Sequence, residues 1–144
     1  MKIDKVSETD YKIYMYNFNI DEKNINEDIK LIVKKLQKRL KLKGFYKVIS
    51  AIKKCGLFLE VKKIEDSFYR DTLDLRIIVS KDMDVYFKTI DYFLIEKMNV
   101  IKYFDKYYYA LVDDFFDEII EKVEFGDFVF GLDIDEMLSS SVVI

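Results

Sequence analysis

The 144-residue chain contains no proline and no histidine, a single cysteine and four glycines. Each shortage removes a class of explanation. Without histidine there is no Ser-His or Cys-His nucleophile pair, no HExxH zinc site and no imidazole switch near neutral pH. The one thiol, Cys55, forms no internal disulfide framework and fits a reducing compartment. A chain with one cysteine and no histidine has too few soft ligands for an ordinary structural zinc site, so any metal would be a hard ion held by oxygens. No tract rich in Gly, Pro or Ser marks a flexible linker. Apolar runs such as Ile77-Ile78-Val79 fall far short of the roughly 20 residues of a membrane-spanning helix. The opening MKIDKVSETD lacks the apolar segment of a secretory signal. A cytoplasmic protein with no cofactor and no membrane partner is expected.

What the chain does hold is apolar and charged residues in quantity: 51% hydrophobic, with 12 Phe and 11 Tyr, and 35% charged. That is ample for a packed core. The net charge of −3 is unevenly divided, because residues 1–72 carry 17 Lys+Arg against 11 Asp+Glu and residues 73–144 carry 7 against 16. The halves therefore differ in sign, +6 and −9, and either attract one another or face different partners.

Period-2 and period-3.6 patterns predict the elements. YKIYMYNF at 11–18 is apolar on both sides, as in a strand covered on both faces. Ile25, Ile29, Ile32, Val33, Leu36 and Leu40 then recur at helical spacing, with Glu27 and Asp28 in the first turn, Lys38, Arg39 and Lys41 near the last, and Gly44 to end the helix. FYKVISAI (45–52) and LFLEVKKI (57–64) form a hairpin around Lys53-Lys54-Cys55-Gly56. LDLRIIV (73–79) is a strand. Over 83–98 the aromatic and β-branched content favours strand, while Met83, Phe87, Ile90, Leu94 and Met98 form a helical stripe, and the stripe sets the expectation of a helix. VIKYFDKYYYALVDD supplies two strands around Asp105-Lys106, followed by an amphipathic helix over Phe116, Ile119, Ile120 and Val123, a strand over 127–130 and a small helix near 133–138. The expected architecture is α+β: a basic β-α-β-β half over 1–66 and an acidic β-α-β-β-α-β half over 67–144, closely abutting.

No pattern in this chain demands a reaction. The acids Asp113, Asp114, Asp117, Glu118 and Glu121 lack the glycine-centred calcium loop and suit a helix start. Alternating tyrosines near 103–109 resemble a base-stacking platform, but they lie in the acidic half, which would repel a phosphate backbone, so nucleic acid is disfavoured. Lys30, Lys34, Lys38 and Lys41 form a basic helix face that suits an acidic partner or simply water. The terminal SSSVVI suits an edge strand or a frayed end.

Four stretches resemble the MecA adaptor family, negative regulators of competence that present substrates to Clp unfoldases. KIDKVSETDYKIYMYNFNID resembles that family's first strand and acidic sequel, and FYKVISAIKKCGLFLEVKKI its strand, lysine-glycine turn and strand. NVIKYFDKYYYALV is similar to the hairpin of the family's C-terminal domain, and DEIIEKVEFGDFV to its helix ending in an acid-aromatic-glycine turn. The long acidic linker between the family's two domains has no counterpart here. The resemblance implies a non-enzymatic adaptor whose partners are a Clp unfoldase and a substrate protein. It also implies a docking surface over Tyr103, Phe104, Tyr107, Tyr109, Glu124, Phe125 and Asp127. The alternative is a regulator of another macromolecular machine, acting through Lys30, Lys34, Lys38 and Lys41.

Overall fold

The computed structural model describes residues 1–16, 23–53, 56–66, 72–80, 82–98, 100–112 and 124–144. The fold is mixed α+β, with two five-stranded sheets and two compact units, Met1–Lys81 and Asp82–Ile144. Recounted on these units, the charge contrast sharpens: 19 Lys+Arg against 12 Asp+Glu gives +7 in the first, and 5 against 15 gives −10 in the second.

The first unit runs β1 (Lys2–Lys5), β2 (Tyr11–Tyr16), α1 (Ile25–Leu40), β3 (Gly44–Lys53), β4 (Gly56–Glu65) and β5 (Leu73–Ser80). Its sheet has the order β1-β2-β4-β3-β5, antiparallel except for the parallel β3-β5 pair. Registers such as Ile13↔Leu59 and Leu59↔Ser50 put alternate residues on one face. Tyr11, Ile13, Tyr46, Val48, Leu57, Leu59 and Val61 form one core with Ile29, Val33 and Leu36 of α1. Full burial of each such aliphatic side chain stabilises by about 1.5–3 kcal/mol. The Ser50 hydroxyl on β3 is buried with no hydrogen-bond partner among the described residues. On the opposite face Tyr14 and Phe58 stack with ring centroids 4.5 Å apart, and both are buried.

Three expectations need correction here. An additional N-terminal strand, β1, pairs with β2 through Lys2↔Tyr14 to Lys5↔Tyr11. The LDLRIIV strand, assigned by the sequence to the second half, pairs in parallel with β3 from Gly44↔Leu73 to Ala51↔Ser80, so it completes the first sheet and the units part after residue 81 and not after 66. Gly44 does not end α1. Lys41 does, in the left-handed conformation at φ 54°, with its own N–H and that of Leu42 (3.0 Å) donating to the Gln37 carbonyl. Gly44 instead opens β3 at φ 111°, its N–H donating to Thr72 O at 2.6 Å beside β5.

The second unit holds β6 (Val85–Thr89), a 3-10 turn (Tyr92–Leu94), β7 (Ile101–Phe104), β8 (Tyr107–Leu111), β9 (Asp127–Phe130), a 3-10 turn (Gly131–Ile134), α2 (Asp135–Ser140) and β10 (Val142–Val143). The sheet order is β10-β7-β8-β6-β9, and every pairing is antiparallel. The helix expected over 83–98 is a strand followed by the 3-10 turn. β6 lies inside the sheet, so Val85, Tyr86 and Phe87 are buried in succession on both faces, while Ile90, part of the supposed helical stripe, is exposed. The terminal SSSVVI supplies an edge strand, Val142↔Tyr103, closed by Ile144 N–H to Ile101 O at 3.0 Å. The helix expected over 116–123 and the two central residues, 54 and 55, of the turn at 53–56 lie outside the described residues.

Candidate functional site: an exposed aromatic row on the second sheet

The β7-β8 connection is the two-residue turn Asp105-Lys106, with φ of 49° and 74°. Two positive φ values mark the primed turn whose twist matches a hairpin. This turn fixes the register Phe104↔Tyr107, Tyr103↔Tyr108 and Lys102↔Tyr109. Because successive strand residues face opposite ways, the tyrosines divide between the two sides of the sheet.

One side takes Phe104, Tyr107 and Tyr109. It packs on Tyr86, Val129, Ile134 and Met137, so α2 and the turn before it cover this side. Tyr109 is only 5% exposed. Burial, then the Asp105 charge and Tyr107, raise the Tyr109 phenol above its usual value, and burial followed by Asp84 does the same for Tyr86. The Lys88 ammonium lies 4.2 Å from the centre of the Tyr107 ring and 5.9 Å from that of Tyr109, and Lys102 lies 5.8 Å from that of Tyr86. Tyr109 is a core residue, and its place in the expected docking surface is withdrawn. Phe104 and Tyr107 are half-buried against the same cluster.

The other side carries Tyr103 and Tyr108, opposite one another with ring centroids 5.0 Å apart. Tyr108 continues to Tyr92 at 5.4 Å, and Tyr92 to Phe93 at 6.3 Å. At the far end Val142 of β10 stands opposite Tyr103 in register. The ring at one end, Phe93, is 75% exposed, and Tyr103 is 38% exposed. Asp91 holds the turn under Tyr92, its carboxylate accepting the Phe93 N–H at 3.0 Å.

The acid-aromatic-glycine turn adjoins this row. Thr89, opposite Tyr108 on β6, is buried and donates its hydroxyl to Phe125 O at 3.2 Å. Glu124, Phe125 and Asp127 are all exposed, Phe125 at 60%. Gly126 makes the close approach possible: a Cβ there would stand 2.5 Å from both Lys88 O and the Phe87 ring. The structure thus joins Tyr103 to Phe93 through the half-buried Tyr108 and Tyr92, with only the two end rings exposed, and it holds the backbone of the separately exposed Phe125 at Thr89. Parity across the turn carried the signal for Tyr108, since positions two residues from a two-residue loop must share a face.

The sequence-predicted lysines Lys30, Lys34, Lys38 and Lys41 are all exposed along α1 and at its cap, in the other unit. No helix among the described residues is long and apolar enough to cross a membrane. The chain matches no family model, no curated protein and no solved structure.

Proposed function

We propose that this chain is a non-enzymatic protein-binding protein of the adaptor type, which docks a partner protein on the aromatic row of its second unit. The observation that carries the reading is the ring-to-ring run Phe93, Tyr92, Tyr108 and Tyr103, exposed at both end rings, with exposed Val142 opposite Tyr103 in register. Tyrosine held by a sheet and phenylalanine held by a capped turn present large contact area at small entropic cost, which is why aromatic side chains are enriched at the centres of protein interfaces. A second compact unit of opposite net charge gives an adaptor an independent surface for a second protein. The resemblance to MecA adaptors makes a Clp unfoldase the first partner to test. The test is capture by the purified chain from a lysate of its source, with bound proteins identified by mass spectrometry, in parallel with Phe93→Ser/Tyr103→Ser. Recovery of an unfoldase by the wild type and its loss with the double variant supports the reading; equal recovery by both removes the row from it.

A further inference from the structure

The end of α1 gathers more positive charge than a helix terminus requires. Lys38 and Arg39 in the last turn complement the helix dipole. Lys5, from β1, and Lys43, from the connection to β3, are not part of the helix, yet they join the same place; Lys5 also pairs with the exposed Glu8 at 3.6 Å, and the Lys43 charge acts on the exposed Asp66, two surface contacts that a multivalent anion would compete with. Two adjoining recesses open there. One, of about 430 Å³, is lined by Ile3, Lys5, Tyr11, Arg39, Leu40 and Lys41. The other, of about 520 Å³, is lined by Gln37, Lys38, Lys41, Leu42 and Lys43. Both sizes lie within the range of small-ligand sites.

Lys41 belongs to both recesses and is also the residue that ends the helix at φ 54°. Glycine takes that conformation without strain and lysine does not. A glycine stands three positions later, at Gly44, so the chain places its strained lysine where the two recesses meet. Two of the last-turn carbonyls are engaged already: Gln37 O accepts the Lys41 and Leu42 N–H groups, and Leu40 O accepts the Tyr11 hydroxyl at 3.2 Å. The Tyr11 bond also ties β2, and through the Lys5↔Tyr11 pairing β1, to this end of the helix. The backbone that carries the exposed cations is therefore held in place, with Leu40 and Leu42 among the lining of the two recesses.

We infer that the C-terminal end of α1 is a binding site for a compact multivalent anion of the polyphosphate class, with Lys41 as the central contact between Lys38 and Lys43 on one side and Lys5 and Arg39 on the other. A small ligand fits these observations better than a nucleic acid, because the five cations face two concavities and no exposed tyrosine lines either recess for base stacking.

The experiment is calorimetric titration of the full chain with inorganic tripolyphosphate at low ionic strength, together with thermal melts. Wild type is expected to bind saturably, and Lys41→Met and Lys43→Gln each to weaken binding about tenfold or more, the size of a lost charge-assisted hydrogen bond. Lys30→Gln, on the same helix but about 16 Å along the axis from Lys41, is expected to leave affinity within about twofold. Lys41→Gly separates the two roles: it should raise the melting temperature by a few degrees while weakening binding as Lys41→Met does. The inference is overturned if no saturable binding occurs, if Lys30→Gln weakens binding as much as Lys41→Met, or if Lys41→Gly binds as wild type. Binding of polyglutamate without binding of tripolyphosphate would overturn it in favour of an acidic protein partner.

Discussion

Gly126→Ala should unfold the second unit far more readily than any other single-methyl change in it. The added Cβ would meet the Lys88 carbonyl oxygen and the Phe87 ring, each at 2.5 Å, and a second Phe87 carbon at 2.8 Å. The ring cannot turn aside, because Phe87 is fully buried and packs on Phe128 at 5.4 Å. Nor can the carbonyl move freely, since β6 is paired on both sides and Lys88↔Asp127 is the pairing next to Gly126. Overpacking of this kind costs about 1–3 kcal/mol, and contact with backbone places it at the upper end. For a unit of this size about 3 kcal/mol corresponds to a fall in melting temperature of roughly 12–24 °C. The assay is a thermal melt followed by near-ultraviolet circular dichroism of the tyrosines, five of which lie on β6, β7 and β8. Gly131→Ala is the control: Gly131 has φ 66°, but a Cβ there would meet only Met83 Sδ, at 4.0 Å, so only the conformational penalty of about 1 kcal/mol applies. Equal melting temperatures for wild type and Gly126→Ala would refute the close approach of the 125–127 segment to β6, and with it the seat of Phe125.

Three further outcomes follow from the same structure. Replacing Asp105-Lys106 by Asn-Gly puts glycine in place of Lys106 at φ 74° and the left-handed-tolerant Asn in place of Asp105, and should stabilise the hairpin by about 1 kcal/mol, measured by denaturant melts. Ser50→Ala removes a buried hydroxyl without a described partner and should stabilise the first unit by up to about 1 kcal/mol, whereas Ser50→Asn should destabilise it. Tyr86 and Tyr109 have phenols raised above 10.0 in the fold, so their neutral forms favour the native state. The unfolded chain loses these protons first, so their contribution is intact below pH 10 and is lost as pH rises through the folded values; Tyr86→Phe/Tyr109→Phe should flatten the alkaline loss of stability.

Much of the fold was legible because its patterns are local. The stripe Ile29, Val33 and Leu36 identified α1, and the alternation in 45–52 and 57–64 identified β3 and β4. The turn at Asp105-Lys106 was equally plain. Two failures have physical causes. Over 83–98, β6 is buried on both faces, so period-2 alternation vanished and an accidental 3.6-residue stripe took its place. The placement of β5 depended on parallel pairing with β3, a non-local contact that no spacing within 73–79 encodes. At the site, Tyr103 and Phe125 come from the family resemblance, which also groups Tyr107 and Tyr109 with Tyr103 although the turn sends them to the opposite face. Tyr92 and Phe93 carry no sequence signal, because the place of both and the exposure of Phe93 depend on a 3-10 turn capped by Asp91, and not on a strand or helix pattern.

The central claim is that the second unit binds a protein through its exposed aromatic row. Its most direct test is the affinity of a captured partner for wild type, Phe93→Ser/Tyr103→Ser and, as a surface control on the other unit, Lys30→Gln/Lys34→Gln. The account predicts a loss of about tenfold or more for the aromatic pair, a typical sum for two interface anchors, with an unchanged melting profile and wild-type affinity in the lysine pair. Wild-type affinity in the aromatic pair, or loss confined to the lysine pair, would contradict it.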